Sequence, residues 1–223
     1  MSTIVDDGAQ ADKGREGAAR IMQVEGASLF GATQLPIDGE RYVVTPDMKG
    51  APSRHHKPPE GEDYSEWASR FAAGKLGAYY TPATFARGSL VGNKGRTAAN
   101  ASGCNSVWVD IEGSADKGGY DGAREVLVAI SQFVKATELV PNFMVLTGSG
   151  GAHLYWCFDR VLTPAEWLPR AEAIVRRCKE HGLKIDAPCT TDIARIMRAP
   201  GSVHQKTNAP VTVYRWKEAP YAL

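Results

Sequence analysis

The chain has 223 residues, 43% hydrophobic and 23% charged, with 26 Lys plus Arg against 25 Asp plus Glu. This is enough for one substantial domain with a sizeable core, and the net charge of +1 excludes a bulk polycation that holds nucleic acid by charge alone. No apolar run is long enough for a transmembrane helix, the first residues lack the order of a signal peptide, and four cysteines make no disulfide framework, so reduced thiols and a cytoplasmic protein are expected.

In chain order, residues 1–20 are small, polar and without periodicity, and read as a flexible tail. Arg41 to Thr45 suits a short strand, and residues 46–62, rich in Pro and Gly, a long loop. Asp63 with Glu66 three residues on has the spacing of a capping box and opens a helix through about Ala73. Residues 76–80 suit a strand, and a Gly- and Asn-rich stretch follows over 92–103. The β-branched run 105–111 predicts a strand, and 121–136 a helix burying Val126, Ile130, Phe133 and Val134. Strands over 142–147 and 153–158, joined by Gly148-Ser149-Gly150-Gly151, predict a hairpin. Thr163-Pro164-Ala165-Glu166 starts a helix that stops at His181-Gly182. A short strand at 183–185, a short helix near 191–197 and a strand at 211–215 complete the pass. Strands and helices mix around at least one hairpin, which indicates an α+β fold. Charge is uneven: residues 1–66 hold 12 acidic and 7 basic side chains, and 67–223 hold 13 and 19, so an anionic ligand should favour the second part.

Three stretches suit chemistry. On a strand, Asp110 and Glu112 fall on one face while Val109 and Ile111 enter the core; two carboxylates one pleat apart suit a divalent cation, or else simply face solvent. Thr147 to His153 brings glycines whose N–H groups can form an anion nest, with Ser149 and His153 as side-chain donors; the plain alternative is an ordinary Gly-rich hairpin. In a helix over 191–198, Arg195 and Arg198 would share a face with Asp192 and bury Ile193, Ile196 and Met197, with Lys206 beyond a Pro-Gly turn. Such a face suits a triphosphate or is merely solvated. Among weaker signals, Cys178, His181 and Cys189 with His204 form a conceivable zinc set without a CxxC. His55-His56 suits a solvated loop. Asn93-Lys94-Gly95-Arg96 suits a phosphate or template contact, and Tyr79, Tyr80 and Phe85 suit base stacking or the core.

Together, and in this order, the motifs resemble the archaeo-eukaryotic primase superfamily, in its phage and plasmid primase-polymerase branch. Val107 to Glu112 resembles its DxD or DxE first motif, and Ser149 to His153 with Leu-Tyr-Trp behind it resembles the SxH-like second motif. Ile185-Asp186 resembles the apolar-Asp third motif, and Asp192 to Ser202 the segment that follows. That segment commonly ends in Asn-x-Lys; here it reads His204-Gln205-Lys206, so Lys matches and Asn does not.

The resemblance covers about residues 76–216. It implies an RRM-like catalytic half with a mixed or antiparallel sheet packed beside a smaller N-terminal α/β unit. The catalytic domain would span 21–223, with about 21–104 the N-terminal unit and 105–216 the RRM-like unit. By the same resemblance the protein is a nucleotidyltransferase, a DNA primase or primase-polymerase that makes short primers on single-stranded DNA in phage or plasmid replication. Asp110, Glu112, Asp186 and His153 would be catalytic. The carboxylates would hold two Mg²⁺ or Mn²⁺ ions about 3.5–4 Å apart. Either Asp186 or Asp192 would be the third ligand; Asp186 follows an apolar strand end, whereas Asp192 could cap the short helix. Ser149, Gly150, His153, Arg195, Arg198 and Lys206 would grip the nucleoside triphosphate. No GxxxxGK[ST] motif is present, so any helicase partner would be a separate protein or part of a longer parent chain; no membrane is involved. Two readings from other classes stand beside this one: a non-catalytic initiator or single-stranded DNA-binding domain, and a metal-dependent nuclease.

Overall fold

The computed structural model describes residues 21–34, 37–46, 53–90 and 94–223. The stretch read as a tail, 1–20, and Asn93 lie outside the described residues. The elements in order are β1 (Met22–Val24), α1 (Gly26–Ala32), β2 (Val43–Thr45), β3 (Arg54–His56), α2 (Tyr64–Ala72), β4 (Tyr79–Tyr80) and β5 (Thr84–Phe85). Then come β6 (Ala101–Ile111), α3 (Ala123–Thr137), β7 (Phe143–Leu146), β8 (Ala152–Leu162), α4 (Pro164–Glu180), α5 (Ala187–Thr190), β9 (Met197–Arg198) and β10 (Thr212–Arg215). Six strands form one sheet in the order β1-β10-β7-β8-β6-β5, and four form a second in the order β3-β2-β4-β9. Each paired strand in both sheets runs antiparallel to its neighbour. The fold class is α+β.

Local signals explain most elements. Asp63 caps α2 by accepting the Glu66 N–H at 3.1 Å. Thr163 and Glu166 close a reciprocal capping box on α4, with Pro164 at the first helical position, where its missing N–H leaves no bond unmade. Val126, Ile130 and Phe133 recur at helical spacing on α3 and are buried. The hairpin is present: Leu146 of β7 pairs with Ala152 of β8 across residues 147–151.

β6 and β8 are the frame, and their register sorts side chains between two faces. Val107 pairs with Trp156, which meets Phe133 of α3 edge to face at 6.5 Å. Trp108 pairs with Tyr155, and Asp110 with His153, so by alternation these four share the opposite face. There Tyr155 meets Tyr80 of the smaller sheet, ring centroids 6.4 Å apart. The face that carries Asp110 and His153 thus looks toward the second sheet.

Two expected elements are absent. Residues 183–185 form no strand: the Leu183 N–H closes α4 on Cys178 O, and the Asp186 N–H bonds Asp110 O at 2.8 Å, which draws this segment across the end of β6. Residues 191–197 are not helical. Asp192 Oδ1 accepts the Ala194 N–H at 2.9 Å, a local turn that competes with helix, and Met197–Arg198 then pairs with Tyr79–Tyr80 as β9. The apolar spacing that suggested a helix still buries Ile193 and Met197, but from a turn and a strand. The two sheets also do not divide the chain at 104/105, since β1 lies at the edge of the larger sheet and β9 at the edge of the smaller.

Candidate active site

Asp110 is the penultimate residue of β6, and His153 faces it from the second position of β8. His153 Nε2 lies 3.6 Å from Asp110 Oδ1. The imidazole is buried, its Nδ1 has no hydrogen-bond partner, and desolvation pulls its pKa below the ordinary histidine value. Asp110 opposes that shift, while Arg198 and Arg195 reinforce it, which puts both guanidinium groups within electrostatic reach of the ring. His153 is therefore a neutral hydrogen-bonding group near neutral pH.

Asp186 comes to Asp110 through the short helix α5. Its Oδ1 caps that helix by accepting the Cys189 N–H at 3.0 Å, while Trp108 Nε1–H donates to Cys189 O at 3.1 Å and fastens α5 to β6. As a result Asp110, Asp186 and Cys189 each bring one ligand atom within 4.8 Å of the other two. Two half-exposed carboxylates this close repel unless a cation lies between them. They are hard oxygen donors of the kind Mg²⁺ and Mn²⁺ prefer. Burial pushes the Cys189 thiol up to about 12, and sulfur is a soft donor that hard ions of this kind do not favour.

The other sequence-predicted residues take distinct places. Glu112 follows the last residue of β6, where the pleat ends, and does not join the group around Asp110; its Oε2 instead pairs with Lys117 Nζ at 2.9 Å. Asp192 is likewise outside that group and caps its own turn. Arg195 Nη2 lies 3.9 Å from Asp186 Oδ2. Arg198 stacks its guanidinium 4.6 Å over the Tyr79 ring, and its Nη1 is buried without a hydrogen-bond partner. Lys206 is exposed, next to buried His204, whose pKa is lowered first by burial and then by Arg198, Lys206 and Lys117. Ser149 is exposed at the hairpin tip, its hydroxyl 3.0 Å from Thr147 Oγ1.

Gly150 adopts a positive φ of 90°, and a Cβ placed on Gly113 would lie 2.1 Å from the Gly150 carbonyl carbon. The hairpin tip and the chain leaving β6 therefore pass backbone against backbone, which only glycine permits. No three of Cys178, His181, Cys189 and His204 come together as metal ligands, so the zinc set proposed from spacing is not formed; Cys189 is instead turned toward the two aspartates. Sequence reasoning missed that partnership, since nothing in the spacing links β6 to α5. It also missed the Tyr79–Arg198 stack, and Arg96, read from the sequence as part of a phosphate or template contact, donates its Nη1 to Ala194 O. His55 and His56 form part of strand β3, not a loop, and His56 Nε2 lies 2.9 Å from Thr45 Oγ1.

No family model and no curated protein matches the sequence. Among solved structures, the chain resembles the AEP domain of the cyanophage S-2L primase-polymerase, with a TM-score of 0.55 and 17% identity over 82% of this chain and 85% of that one. Primase RepB′ aligns with a TM-score of 0.44 and 12% identity, over 87% of this chain and 57% of that one. The polymerase domain of Mycobacterium tuberculosis ligase D, solved with DNA, gives 0.41 and 18%, over 80% of this chain and 66% of that one. The two antiparallel sheets, the β6–β8 frame and the likeness to the cyanophage domain lead to one conclusion: this chain has an α+β fold like that of the cyanophage primase-polymerase AEP domain.

Proposed function

We propose that this protein is a DNA-templated nucleotidyltransferase, a primase or primase-polymerase that builds short primers on single-stranded DNA in phage or plasmid replication. The observation that carries this reading is the Asp110–Asp186 pair beside His153, with the unpartnered Arg198 Nη1 in the same neighbourhood. Acidic ligands for cations next to cationic donors for phosphate are what phosphoryl transfer needs on one face.

Asp110 and Asp186 fit a divalent-ion site by donor chemistry, and Glu112, paired with Lys117 here, would complete the carboxylate set expected from the sequence. Bound Mg²⁺ or Mn²⁺ ions supply charge neutralisation at the transferring phosphoryl group and its pyrophosphate leaving group. The protein's own residues do the positioning. Arg195, Arg198 and Lys206 bind the triphosphate, neutral His153 donates a hydrogen bond to it, and the Ser149–Gly150 tip offers a hydroxyl and backbone N–H groups. Template DNA lies along the basic second part of the chain, and its affinity falls as salt rises. Asp186 is the better third-motif carboxylate than Asp192, because only Asp186 reaches Asp110. The test is incorporation of labelled nucleotides on single-stranded DNA, with and without a primer; binding of template without any incorporation would make the protein an initiator-type binding domain.

A further inference from the structure

We propose that the carboxylate pair also forms a binding site for a thiophilic divalent cation of the zinc class, ligated by Asp110, Asp186 and Cys189 with His153 as the fourth donor. The proposal deepens the reading above, and rests on it only for the consequence that such an ion shuts off nucleotide incorporation.

Three of the four donors are already gathered, and His153 stands beside one of them. The carboxylate and thiol ligand atoms lie within 4.8 Å of one another, and His153 Nε2 is 3.6 Å from Asp110 Oδ1. Bonds of about 2.0–2.3 Å to a tetrahedral zinc put ligand atoms about 3.3–3.8 Å apart, so the three gathered atoms need to close by about 1 Å and the His153 ring, outside that group, to turn in toward them. The backbone is already set for this: the Asp186 cap fixes Cys189 three residues on, and the Trp108 bond holds α5 against β6. His153 has a side chain only 5% exposed and an unpartnered Nδ1, so no competing hydrogen bond holds the ring away from a metal. A second soft atom stands behind the thiol, with Met197 Sδ 3.8 Å from Cys189 Sγ.

An all-oxygen site would favour Mg²⁺; sulfur and imidazole shift the preference toward Zn²⁺ and Cd²⁺. As the metal–sulfur bond forms, the Sγ proton passes to solvent. Four protein ligands would close the coordination sphere, leaving no open position for substrate phosphate. The three remaining cysteines, Cys104, Cys157 and Cys178, are buried and lie in no such group.

The test is a Cd²⁺ titration of the reduced full chain in excess Mg²⁺, read by thiolate-to-metal charge-transfer absorption. One equivalent of Cd²⁺ is expected to give the band, Cys189→Ser to abolish it, and Asp110→Asn to weaken binding by at least about tenfold. No band in the wild type, or an undiminished band in Cys189→Ser, would overturn the proposal. Asp110→Asn, at a half-exposed position, keeps the test decisive if the Cys189 variant does not fold; unchanged Cd²⁺ affinity there also overturns it. In an Mg²⁺-driven incorporation assay, the half-inhibitory Zn²⁺ concentration is expected to rise at least about tenfold in Cys189→Ser. A Cd²⁺ band without incorporation under any condition would support this site while contradicting the primase reading. Incorporation without a band would contradict this site alone.

Discussion

Asp110 and His153 face each other across the central strand pair of the larger sheet, with His153 Nε2 3.6 Å from Asp110 Oδ1. One is a half-exposed carboxylate and the other a buried imidazole, so adjacent strands deliver a metal-type ligand and a phosphate-type donor to the same spot.

The third carboxylate can be assigned by substitution. Asp186→Asn is expected to lower incorporation by at least about a hundredfold, which corresponds to about 2.7 kcal/mol of barrier. Asp192→Asn keeps the acceptor that bonds the Ala194 N–H and is expected to hold activity within about threefold, about 0.7 kcal/mol. Steady-state incorporation rates check both; the reverse pattern would move the ligand to Asp192.

His153 makes stability depend on pH. Its folded-state pKa is below the ordinary value of 6.5, chiefly through desolvation. The unfolded chain takes up a proton there that the folded chain resists, so the contribution is complete above about pH 6.5 and is lost as pH falls through the folded value. His56 and His204 shift in the same direction. The urea midpoint should therefore drop between about pH 7.5 and 5.5, and His153→Gln should narrow that drop. A drop of equal size in the variant would contradict the assignment. His153→Ala should chiefly raise the apparent KM for nucleotide, and an unchanged KM would remove the residue from the triphosphate site.

The close passage of Gly113 and Gly150 is a separate point of fragility. Gly113→Ala places a Cβ 2.1 Å from the Gly150 backbone, a clash that no side-chain movement relieves. It is expected to destabilise the protein by more than about 2 kcal/mol, measured by urea unfolding. Gly118→Ala, where no atom lies near the added Cβ but φ is 78°, should cost only about 1 kcal/mol.

What was legible in the sequence was local. The strand at 105–111, the Gly-rich hairpin and the Thr163–Glu166 cap are each specified by residues within a few positions of one another, and each is present. The two-residue strands β4, β5 and β9 are too short to show a period, and their pairing joins residues as distant as Tyr79 and Arg198. Spacing suggested a helix at 191–197 because Ile193, Ile196 and Met197 recur at helical intervals; the Asp192 turn and the pairing with β4 prevail instead. The same limit hid Cys189 beside Asp110, since only the docking of α5 on β6 brings them together. Glu112 shows the converse case: the strand rule held to Ile111, and one residue later the chain had left the sheet.

The most direct test is incorporation of labelled nucleotides on single-stranded DNA without a primer, in Mg²⁺ or Mn²⁺, comparing the wild type with Asp110→Ala. That variant removes a half-exposed carboxylate and no core volume, so its circular dichroism and unfolding midpoint should match the wild type. Dinucleotides or longer products from the wild type, absent or reduced at least about a hundredfold in the variant, are the predicted result. Undiminished synthesis by a folded Asp110→Ala protein would contradict the account at its centre.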